Sequence, residues 1–426
     1  MMKGVYKALN IEYGERTSVL LLLSQSVFLG VFYGAFDIGA TALFLDVFDA
    51  ERLPGAFIIS GLAGIILTTL YSKLQSRISF KNLAVINLLT VAVFTGLLRF
   101  GFEIYSSNWL VFFVFVMMGP LNIIALLGFW GTVGRMFSLR QGKRLFGLID
   151  TGQIAGIILI SYAVPVLLTF NFETKNLLLI SSVSIFFALI FQFIIAGKFK
   201  LSEGPVSKGE ALSWRTRIKE FFRNRYIAMM AVFVFLSVIT AFFIAYSFLA
   251  ASNDQYPQAR EFAQFLGVFT GTLMIFTIII KTFIYSRLMK TYGLKVSLVI
   301  SAILVGFFTI VTALVGTIFG YTTAAGTSFM LFFLLMALSR LFSKTLKDAI
   351  EAPSFKILYQ SLDVKIRYDV QANVDGTINE VAALSSGLIL ALLGSLSFFQ
   401  LIHFAYVLIF IIVAWVYVSL ILYKEY

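Results

Sequence analysis

Residues 175–196 read KNLLLISSVSIFFALIFQFIIA, and after the first lysine this stretch contains no charged residue. A helix that crosses a bilayer needs about 20 mostly apolar residues, so the stretch is long enough and apolar enough to span a membrane. Comparable stretches recur along the whole chain. We predict twelve spanning helices, at residues 17–45, 52–72, 82–100, 109–134, 146–170, 175–196, 226–250, 262–286, 294–317, 326–347, 375–397 and 399–423.

The composition of the 426-residue chain leads to the same class of protein. Apolar residues make up 60% of the chain and charged residues only 13%, whereas soluble domains carry about 25% charged residues. This excludes a water-soluble enzyme, a disordered chain and a fibrous protein. The chain has no cysteine, which excludes a disulfide framework, a thiolate metal site and a cysteine nucleophile. We predict an all-α polytopic membrane protein.

The basic residues indicate how the chain is oriented in the membrane. Of the 33 lysines and arginines, 28 fall at one set of span ends and one, Lys281, lies inside a span. The other four, at the opposite ends, are Arg52, Arg99, Lys175 and Arg260. Cytoplasmic loops carry such an excess of basic residues, and an even number of spans places both termini on the same side. We therefore predict a bacterial inner-membrane protein with both termini in the cytoplasm, and we attribute the net charge of +12 to this bias rather than to nucleic-acid binding.

The two halves of the sequence resemble each other. Tyr71-Ser-Lys-Leu recurs as Tyr285-Ser-Arg-Leu at the corresponding place in the second half, each time before a basic segment and an apolar span. Six helices repeated in the same orientation are typical of the major-facilitator architecture, in which two six-helix bundles enclose a cavity. The predicted domains are a bundle at 1–197, a cytoplasmic linker with an amphipathic helix at 198–225, and a second bundle at 226–426.

Small residues four apart favour close helix packing in membranes. They occur in spans one, five and eight, as the pairs Gly30 and Gly34, Gly152 and Gly156, and Gly267 and Gly271.

Several ionisable side chains fall within or at the start of predicted spans. A charge at the bilayer centre costs at least about 2.5–3.5 kcal/mol, so it usually faces a cavity or a partner. We predict that Asp37 and Lys281 contact substrate, and that Asp37, Asp150, Glu380 and Arg144 serve coupling or gating. Structural alternatives remain: Asp150 and Glu380 lie near predicted helix starts, and Lys281 is close enough to a helix end to reach the membrane surface.

The end of span ten carries Arg340, Lys344, Lys347 and Asp348 on one helix face. Three cations on one stripe could bind a phosphate or carboxylate group of a substrate. The alternative is a positive-inside anchor whose charges pair among themselves. His403, the only histidine, lies in an apolar run, and we interpret it as a packing residue.

The sequence contains no constellation that indicates an enzyme. A Gly-rich phosphate loop ending in Gly-Lys-Ser/Thr is absent. One histidine without any cysteine cannot form a zinc site. We predict no metal and no cofactor.

Three stretches carry a resemblance to a known family. They are Ala50-Glu-Arg-Leu-Pro leading into Leu70-Tyr-Ser-Lys-Leu-Gln-Ser-Arg-Ile-Ser, then Gly142-Lys-Arg-Leu-Phe-Gly-Leu-Ile-Asp-Thr-Gly-Gln, and Ser343-Lys-x-x-Lys-Asp continuing through Leu358-Tyr-Gln-Ser-Leu-Asp and Lys365 to Asp375. With these stretches the chain resembles the ATP/ADP translocases, the nucleotide transporters of obligate intracellular bacteria and plastids. The resemblance implies nucleotide exchange through a twelve-helix, major-facilitator-like fold.

Two positions depart from that family pattern. Family members that exchange ATP for ADP have a lysine near the position of Ile38 and a glutamate at the position of Gln141. Both departures remove charges associated with nucleotide handling, which leaves open a different anion or an unrelated substrate.

We therefore predict a secondary transporter that works by alternating access on an anionic substrate, such as a nucleotide or a related phosphorylated metabolite. Its predicted partners are the lipid bilayer and that small molecule, with no nucleic acid. Two alternatives stay open. One is a non-transporting, transporter-like membrane subunit of a larger complex, with a protein partner, and the other is a proton-coupled exporter of an amphipathic small molecule.

Overall fold

The computed structural model describes residues 11–75, 77–104, 107–170, 172–199, 224–363, 367, 370–371 and 373–426, and these residues form helices and connecting turns without a β-strand. The helix predicted within the 198–225 linker falls on residues 200–223, which lie outside the described residues, as does Lys365.

Among the described residues, twelve long helices correspond one to one with the twelve predicted spans. In the first half they are α1 (Arg16–Val47), α2 (Leu53–Gln75), α3 (Phe80–Ile104), α4 (Asn108–Met136), α5 (Leu139–Thr169) and α6 (Leu177–Lys198). In the second half they are α7 (Arg225–Gln255), α8 (Ala259–Ile279), α9 (Tyr285–Phe319), α10 (Thr327–Leu346), α11 (Asn379–Gly394) and α12 (Leu401–Glu425). A short helix, Ala352–Leu358, follows α10.

Helices α8 and α9 form one continuous run. By length and hydropathy the described chain has eleven helical runs that could cross a membrane, and the longest, Ala259–Phe319, has 61 residues. A straight helix of that length would be about 90 Å long, roughly three times the thickness of the hydrocarbon core. The backbone leaves the helical conformation at Gly293, where φ is +72°, a value that glycine adopts without steric cost. The run therefore supplies two spans, and Arg287 and Lys290, which we expected in a loop, lie on helix before the break.

The chain divides into two compact units. The first comprises Met1–Val47, Leu62–Lys208 and Gln258–Met274, and the second Phe48–Gly61, Gly209–Pro257 and Ile275–Tyr426. The predicted boundaries at 197 and 226 stay a prediction.

Close backbone contact between α1 and α5 organises the first unit. A Cβ atom at Gly30 would collide with the carbonyl oxygen of Gln153, and one at Gly156 would collide with the carbonyl oxygen of Val27. A Cβ at Gly34 would lie 2.5 Å from Cγ2 of Ile160. These glycines therefore let two helix backbones touch, which is the packing that their spacing predicts.

The third glycine pair also packs closely. A Cβ at Gly267 would lie 2.6 Å from the carbonyl oxygen of Ser161, and a Cβ at Gly271 would lie 2.7 Å from the ring of Tyr162. These contacts place the first part of α8 against α5, within the first unit.

Buried amides join α1, α4 and α6 in the same unit. The side-chain nitrogen of Gln25 donates to Oε1 of Gln192 over 2.9 Å, and the side-chain nitrogen of Gln192 donates to the hydroxyl of Thr132 over 3.2 Å. All three side chains are fully buried. Interhelical hydrogen bonds of this kind stabilise helix packing where no water is present.

Aromatic side chains form the centre of the second unit. Phe233 of α7 stacks on Phe355 with ring centroids 5.3 Å apart, and Trp415 of α12 meets Phe233 edge-on at 6.0 Å. All three are buried.

Large apolar side chains also cover the outside of the helices. Ile66, Leu97, Leu392 and Phe410 are each more than 60% exposed. Apolar surface on this scale is unstable in water and is what contact with lipid tails requires. The chain is a multi-pass membrane protein.

Helix α5 begins earlier than we predicted. The expected start was residue 146, but Ser138 caps a helix that starts at Leu139, and the side chain of Gln141 accepts a hydrogen bond from the backbone nitrogen of Ser138 over 3.0 Å. This capping box brings Arg144 into the helix. Asp150 consequently lies eleven residues inside α5, about 16 Å along its axis. Its expected position near the helix start, where the helix dipole would stabilise it, is wrong.

The α1–α5 contact can be tested with two glycines of the same helix. We expect Gly156→Ala to destabilise the protein by about 1–3 kcal/mol, because the added methyl group forces the two backbones apart. At Gly147 a Cβ atom would have no neighbouring atom within 4 Å, so Gly147→Ala should be neutral or stabilise by up to about 1 kcal/mol through helix propensity. Thermal unfolding of the purified protein in detergent measures both. Equal melting temperatures for the two variants would contradict the close packing.

Candidate functional site

The basic face predicted at the end of α10 is present in the second unit. The side chains of Arg340 and Lys347 are partly buried, and Nη1 of Arg340 donates to the carbonyl oxygen of Ala241 in α7 over 3.4 Å. Lys344 forms an ion pair with Asp348 over 3.0 Å. The charge of Lys344 is therefore paired within the same helix face, whereas Lys347 makes no ion pair with a described residue.

A buried carboxylate beside this face was not among our candidates. Glu351 is only 5% exposed, and one of its oxygens, Oε1, accepts a short hydrogen bond from the hydroxyl of Ser237 in α7. Its other oxygen, Oε2, is buried and has no hydrogen-bond partner among the described residues. Glu351 also attracts Lys347 electrostatically. The sequence signal was available, because Lys347 and Glu351 are four residues apart on one helix face.

Three π-helical turns occur in the described chain, all of them in the second unit. They are Ile280–Ile284, Lys347–Glu351 and Asn373–Ile378. Single π turns within α-helices are frequent at functional sites. The first turn contains Lys281, the second contains Lys347, and the third ends two residues before Glu380, so each one carries or adjoins a predicted site residue.

Two of these turns pack against each other. Ile280 belongs to a buried cluster with Leu346, Ala349 and Ile350. The contact brings the turn that carries Lys281 against the turn that carries Lys347. Lys281 itself is partly buried, so the structure places two of the predicted substrate-binding lysines on adjoining turns.

Glu380 lies in the first turn of α11, immediately after the third π turn. Its side chain is partly buried, and it forms no ion pair with a described residue.

The tyrosine and the final aspartate of the family-like stretch contact each other. The hydroxyl of Tyr359, which is 2% exposed, donates to Oδ1 of Asp375 over 2.7 Å. On the same short segment, the hydroxyl of Tyr226 donates to the carbonyl oxygen of Leu358 over 2.9 Å. These two bonds attach the end of the helix after α10 to the third π turn and to α7.

Asp37 lies in the first unit. Its Oδ1 accepts a hydrogen bond from the side-chain nitrogen of Asn122 over 2.9 Å, and the backbone oxygen of Asn122 accepts one from the buried hydroxyl of Tyr33 over 3.4 Å. Asp37 is partly buried, in a polar setting shared by α1 and α4.

Arg144 connects the beginnings of α1 and α5. Its Nη2 lies 2.6 Å from Oε1 of Glu15, which is buried, and its Nη1 lies 3.1 Å from the exposed carboxylate of Glu12. The side-chain nitrogen of Gln141 donates to the same oxygen of Glu15 over 2.8 Å. A glutamate at position 141 would face Glu15 with a like charge, so the amide suits this arrangement.

Asp150 is partly buried at the α1–α5 contact. The carbonyl oxygen of its neighbour Ile149 accepts a hydrogen bond from the hydroxyl of Ser26 over 2.7 Å. Together with Arg144 and Asp37, Asp150 belongs to the first unit, whereas Lys281, Glu380 and the basic face belong to the second.

His403 caps a helix. Its Nδ1 accepts a hydrogen bond from the backbone nitrogen of Gln400 over 2.9 Å, and its ring packs against Phe399. Among the described residues, no group of three or more His, Asp or Glu side chains could hold a metal ion.

Comparison with known proteins identifies a family and a fold. A model of the TLC ATP/ADP transporter family matches residues 99–426. A comparison with curated protein sequences finds no match.

Several solved structures share the fold. The nucleoside transporter NupG is 17% identical and superposes with a TM-score of 0.62, over 95% of this chain and 99% of that one. A D-xylose–proton symporter is 13% identical with a TM-score of 0.66, over 96% of this chain and 97% of that one. A bacterial homologue of the iron transporter ferroportin, in its inward-facing state, is 14% identical with a TM-score of 0.62, over 97% and 99%. The predicted major-facilitator fold is confirmed.

The ion pair at Arg144 allows a matched test. We expect Glu15→Gln to destabilise the protein by about 2–3 kcal/mol, because it leaves a partly buried guanidinium without its closest carboxylate. Glu12→Gln removes a carboxylate from the same arginine at an exposed position, where a pair contributes at most about 1 kcal/mol. Denaturant unfolding of both variants in detergent gives the difference. If the two substitutions cost the same, Glu15 is not the principal partner of Arg144.

Proposed function

The chain belongs to the TLC ATP/ADP transporter family, and from this we propose that it is a secondary transporter whose substrate is a nucleotide or a related phosphorylated metabolite. It moves the substrate by alternating access, with the binding site open to one side of the membrane at a time. The family match over residues 99–426 is the observation that carries the proposal. The protein is a transporter rather than an enzyme.

The basic face of α10 is the proposed phosphate-binding element. A nucleoside di- or triphosphate carries several negative charges, and a planar guanidinium beside an ammonium group suits that anion. Arg340 and Lys347 each make no ion pair with a described residue, so both cations can bind phosphate oxygens. Lys344 shares its charge with Asp348 and contributes less.

The other candidate residues have proposed roles around this element. Lys281 supports phosphate binding from the adjoining π turn. Asp37 and Glu380 are proposed to carry a coupling proton or to balance the cationic charge of the empty site. Arg144, through its pair with Glu15, and Asp150 are proposed to serve coupling or gating from the α1–α5 pair.

We also propose the bacterial inner membrane as the location, with both termini in the cytoplasm. The support is the excess of basic residues at one set of span ends.

Transport by the reconstituted protein tests the function and the site separately. In liposomes loaded with unlabelled nucleotide, we expect the wild type to take up labelled nucleotide. Arg340→Gln and Lys347→Gln should each lower uptake at subsaturating substrate about tenfold or more, since a hydrogen bond to a charged group contributes about 1.5–3 kcal/mol. Lys281→Ala and Asp37→Asn should also lower it. Lys356→Gln, which removes an exposed lysine just beyond the same face, is the control.

The outcomes distinguish the claims. Wild-type liposomes that take up no phosphorylated metabolite would contradict the transport function. Normal uptake by the Arg340 and Lys347 variants would leave transport standing and reject this binding site. A wild type without transport that co-purifies with a protein partner would favour the scaffold alternative, and wild-type proton-driven efflux of an amphipathic molecule would favour the exporter.

Glu351 provides a second test of the phosphate site. Its carboxylate attracts Lys347 and therefore competes with an anionic substrate. We expect Glu351→Gln to lower the KM for nucleotide about threefold to tenfold, because a neutral amide of the same shape ends that competition. Ser237→Ala, which keeps the charge, should change the KM less than about twofold. Initial exchange rates measure both, and an unchanged or higher KM for Glu351→Gln would show that the carboxylate does not oppose substrate.

A further inference from the structure

The first unit contains a cavity that the transport proposal does not use. It has a volume of about 360 Å³ and lies where α2 ends, α3 begins and α4 ends. Its lining includes Tyr71, Gln75, Phe80, Leu127, Trp130 and Arg135. The wall is thus mostly apolar and aromatic, with one cation.

Arg135 is held in this cavity with most of its donors unused. Its guanidinium carbon lies 3.6 Å from the centre of the Phe80 ring, and its Nη1 donates to the carbonyl oxygen of Gly131 over 3.1 Å. Nε is buried and has no hydrogen-bond partner in the described chain. A guanidinium has five N–H donors, and a single one is bonded to a described residue here. The stacking on Phe80 orients the guanidinium but provides no hydrogen-bond acceptor for its N–H groups.

Gly131 makes this arrangement sterically possible. A Cβ at Gly131 would lie 2.6 Å from Cζ of Phe80 and 3.5 Å from Nη1 of Arg135. A larger residue would move the ring from beneath the guanidinium. The cavity and the orientation of its cation therefore depend on the same glycine.

The position of the cavity indicates which ligand reaches it. Arg135 is the second-to-last residue of α4. The ends of the helices here adjoin Lys73, Arg77 and Lys81, which are among the 28 basic residues at the span ends that we predict to be cytoplasmic. Tryptophan and tyrosine side chains are typical of the membrane–water interface. Leu127 on the cavity wall is 37% exposed and Leu70, next to Tyr71, is 50% exposed. Exposed apolar surface of the kind that contacts lipid tails therefore lies beside this cavity.

We propose that this cavity binds an anionic phospholipid of the cytoplasmic leaflet. The phosphate group accepts hydrogen bonds from Arg135, and the acyl chains lie along the apolar surface at Leu127 and Leu70. Basic pockets between helices on the cytoplasmic side are suited to anionic head groups. A free phosphate ion would share the contact with Arg135 but would gain nothing from the apolar wall.

Lipid binding can be measured without transport. Delipidated protein in detergent is titrated with phosphatidylglycerol, with phosphatidylcholine of the same acyl chains, and with inorganic phosphate, and thermal unfolding is recorded. A ligand that binds only the folded protein raises the melting temperature. We expect phosphatidylglycerol to bind the wild type about tenfold more tightly than phosphatidylcholine, and inorganic phosphate to have little effect.

Variants assign the preference to the cavity. Arg135→Gln should lose the preference for phosphatidylglycerol, whereas Arg77→Gln, which removes an exposed cation outside the cavity wall, should keep it. Leu127→Trp fills the mouth of the cavity but keeps the charge of Arg135, and it should also weaken the binding of phosphatidylglycerol. If Arg135→Gln does not fold, Leu127→Trp alone tests whether the lipid binds in this cavity. The proposal is overturned if the wild type binds phosphatidylglycerol and phosphatidylcholine equally well. It is also overturned if Leu127→Trp, and Arg135→Gln where that variant folds, still prefer phosphatidylglycerol. An equal effect of inorganic phosphate overturns the assignment to lipid.

Discussion

Within the hydrocarbon core no water is available, so each backbone N–H and C=O must be hydrogen-bonded inside the protein. This constraint explains why the described residues are helical and why the helices contact one another through backbone and buried polar groups. Because lipid tails are as apolar as leucine, burial of apolar side chains does not by itself hold helices together, and close approach has to do so. At the crossing of α1 and α5, Gly30 and Gly156 bring backbone against backbone. Buried amides such as Gln25 and Gln192 add interhelical hydrogen bonds.

The same constraint makes departures from regular helix informative. A π turn leaves the helix continuous but changes which side chains face a neighbouring helix. In the second unit one such turn contains Lys281, and another contains both Lys347 and Glu351. Glu351 keeps one oxygen bonded to Ser237 and leaves the other without a described partner, an arrangement with a desolvation cost. Charge and irregular backbone thus occur together at the end of α10 and in the π turn that follows it, within the third family-like stretch, and this concentration supports placing substrate binding there.

The two departures from the nucleotide-exchanger pattern have different physical settings. Gln141 donates to Glu15, which already binds Arg144, so a neutral amide completes a network that a second carboxylate would disturb. Ile38 is 1% exposed within α1, and a lysine there would need a buried partner of its own. One departure is therefore explained by a local ion pair, while the other replaces a charge with apolar packing. The first concerns how α1 and α5 are attached, so it leaves the proposed phosphate site on α10 unaltered.

Sequence alone determined the number and approximate position of the twelve spans and the packing role of the glycine pairs, because span length, apolar content and residue spacing are local properties of a helix. It also located the cations of α10. It misplaced the start of α5, where the cap at Ser138 outweighed the apolar pattern, and it missed Glu351 as a site residue. Only the tertiary structure decided the partners: Glu351 meets Ser237 across 114 residues, and Arg144 meets Glu15 across 129. Such contacts depend on the rotation and depth of each helix relative to its neighbours, which side-chain packing sets and local composition does not specify.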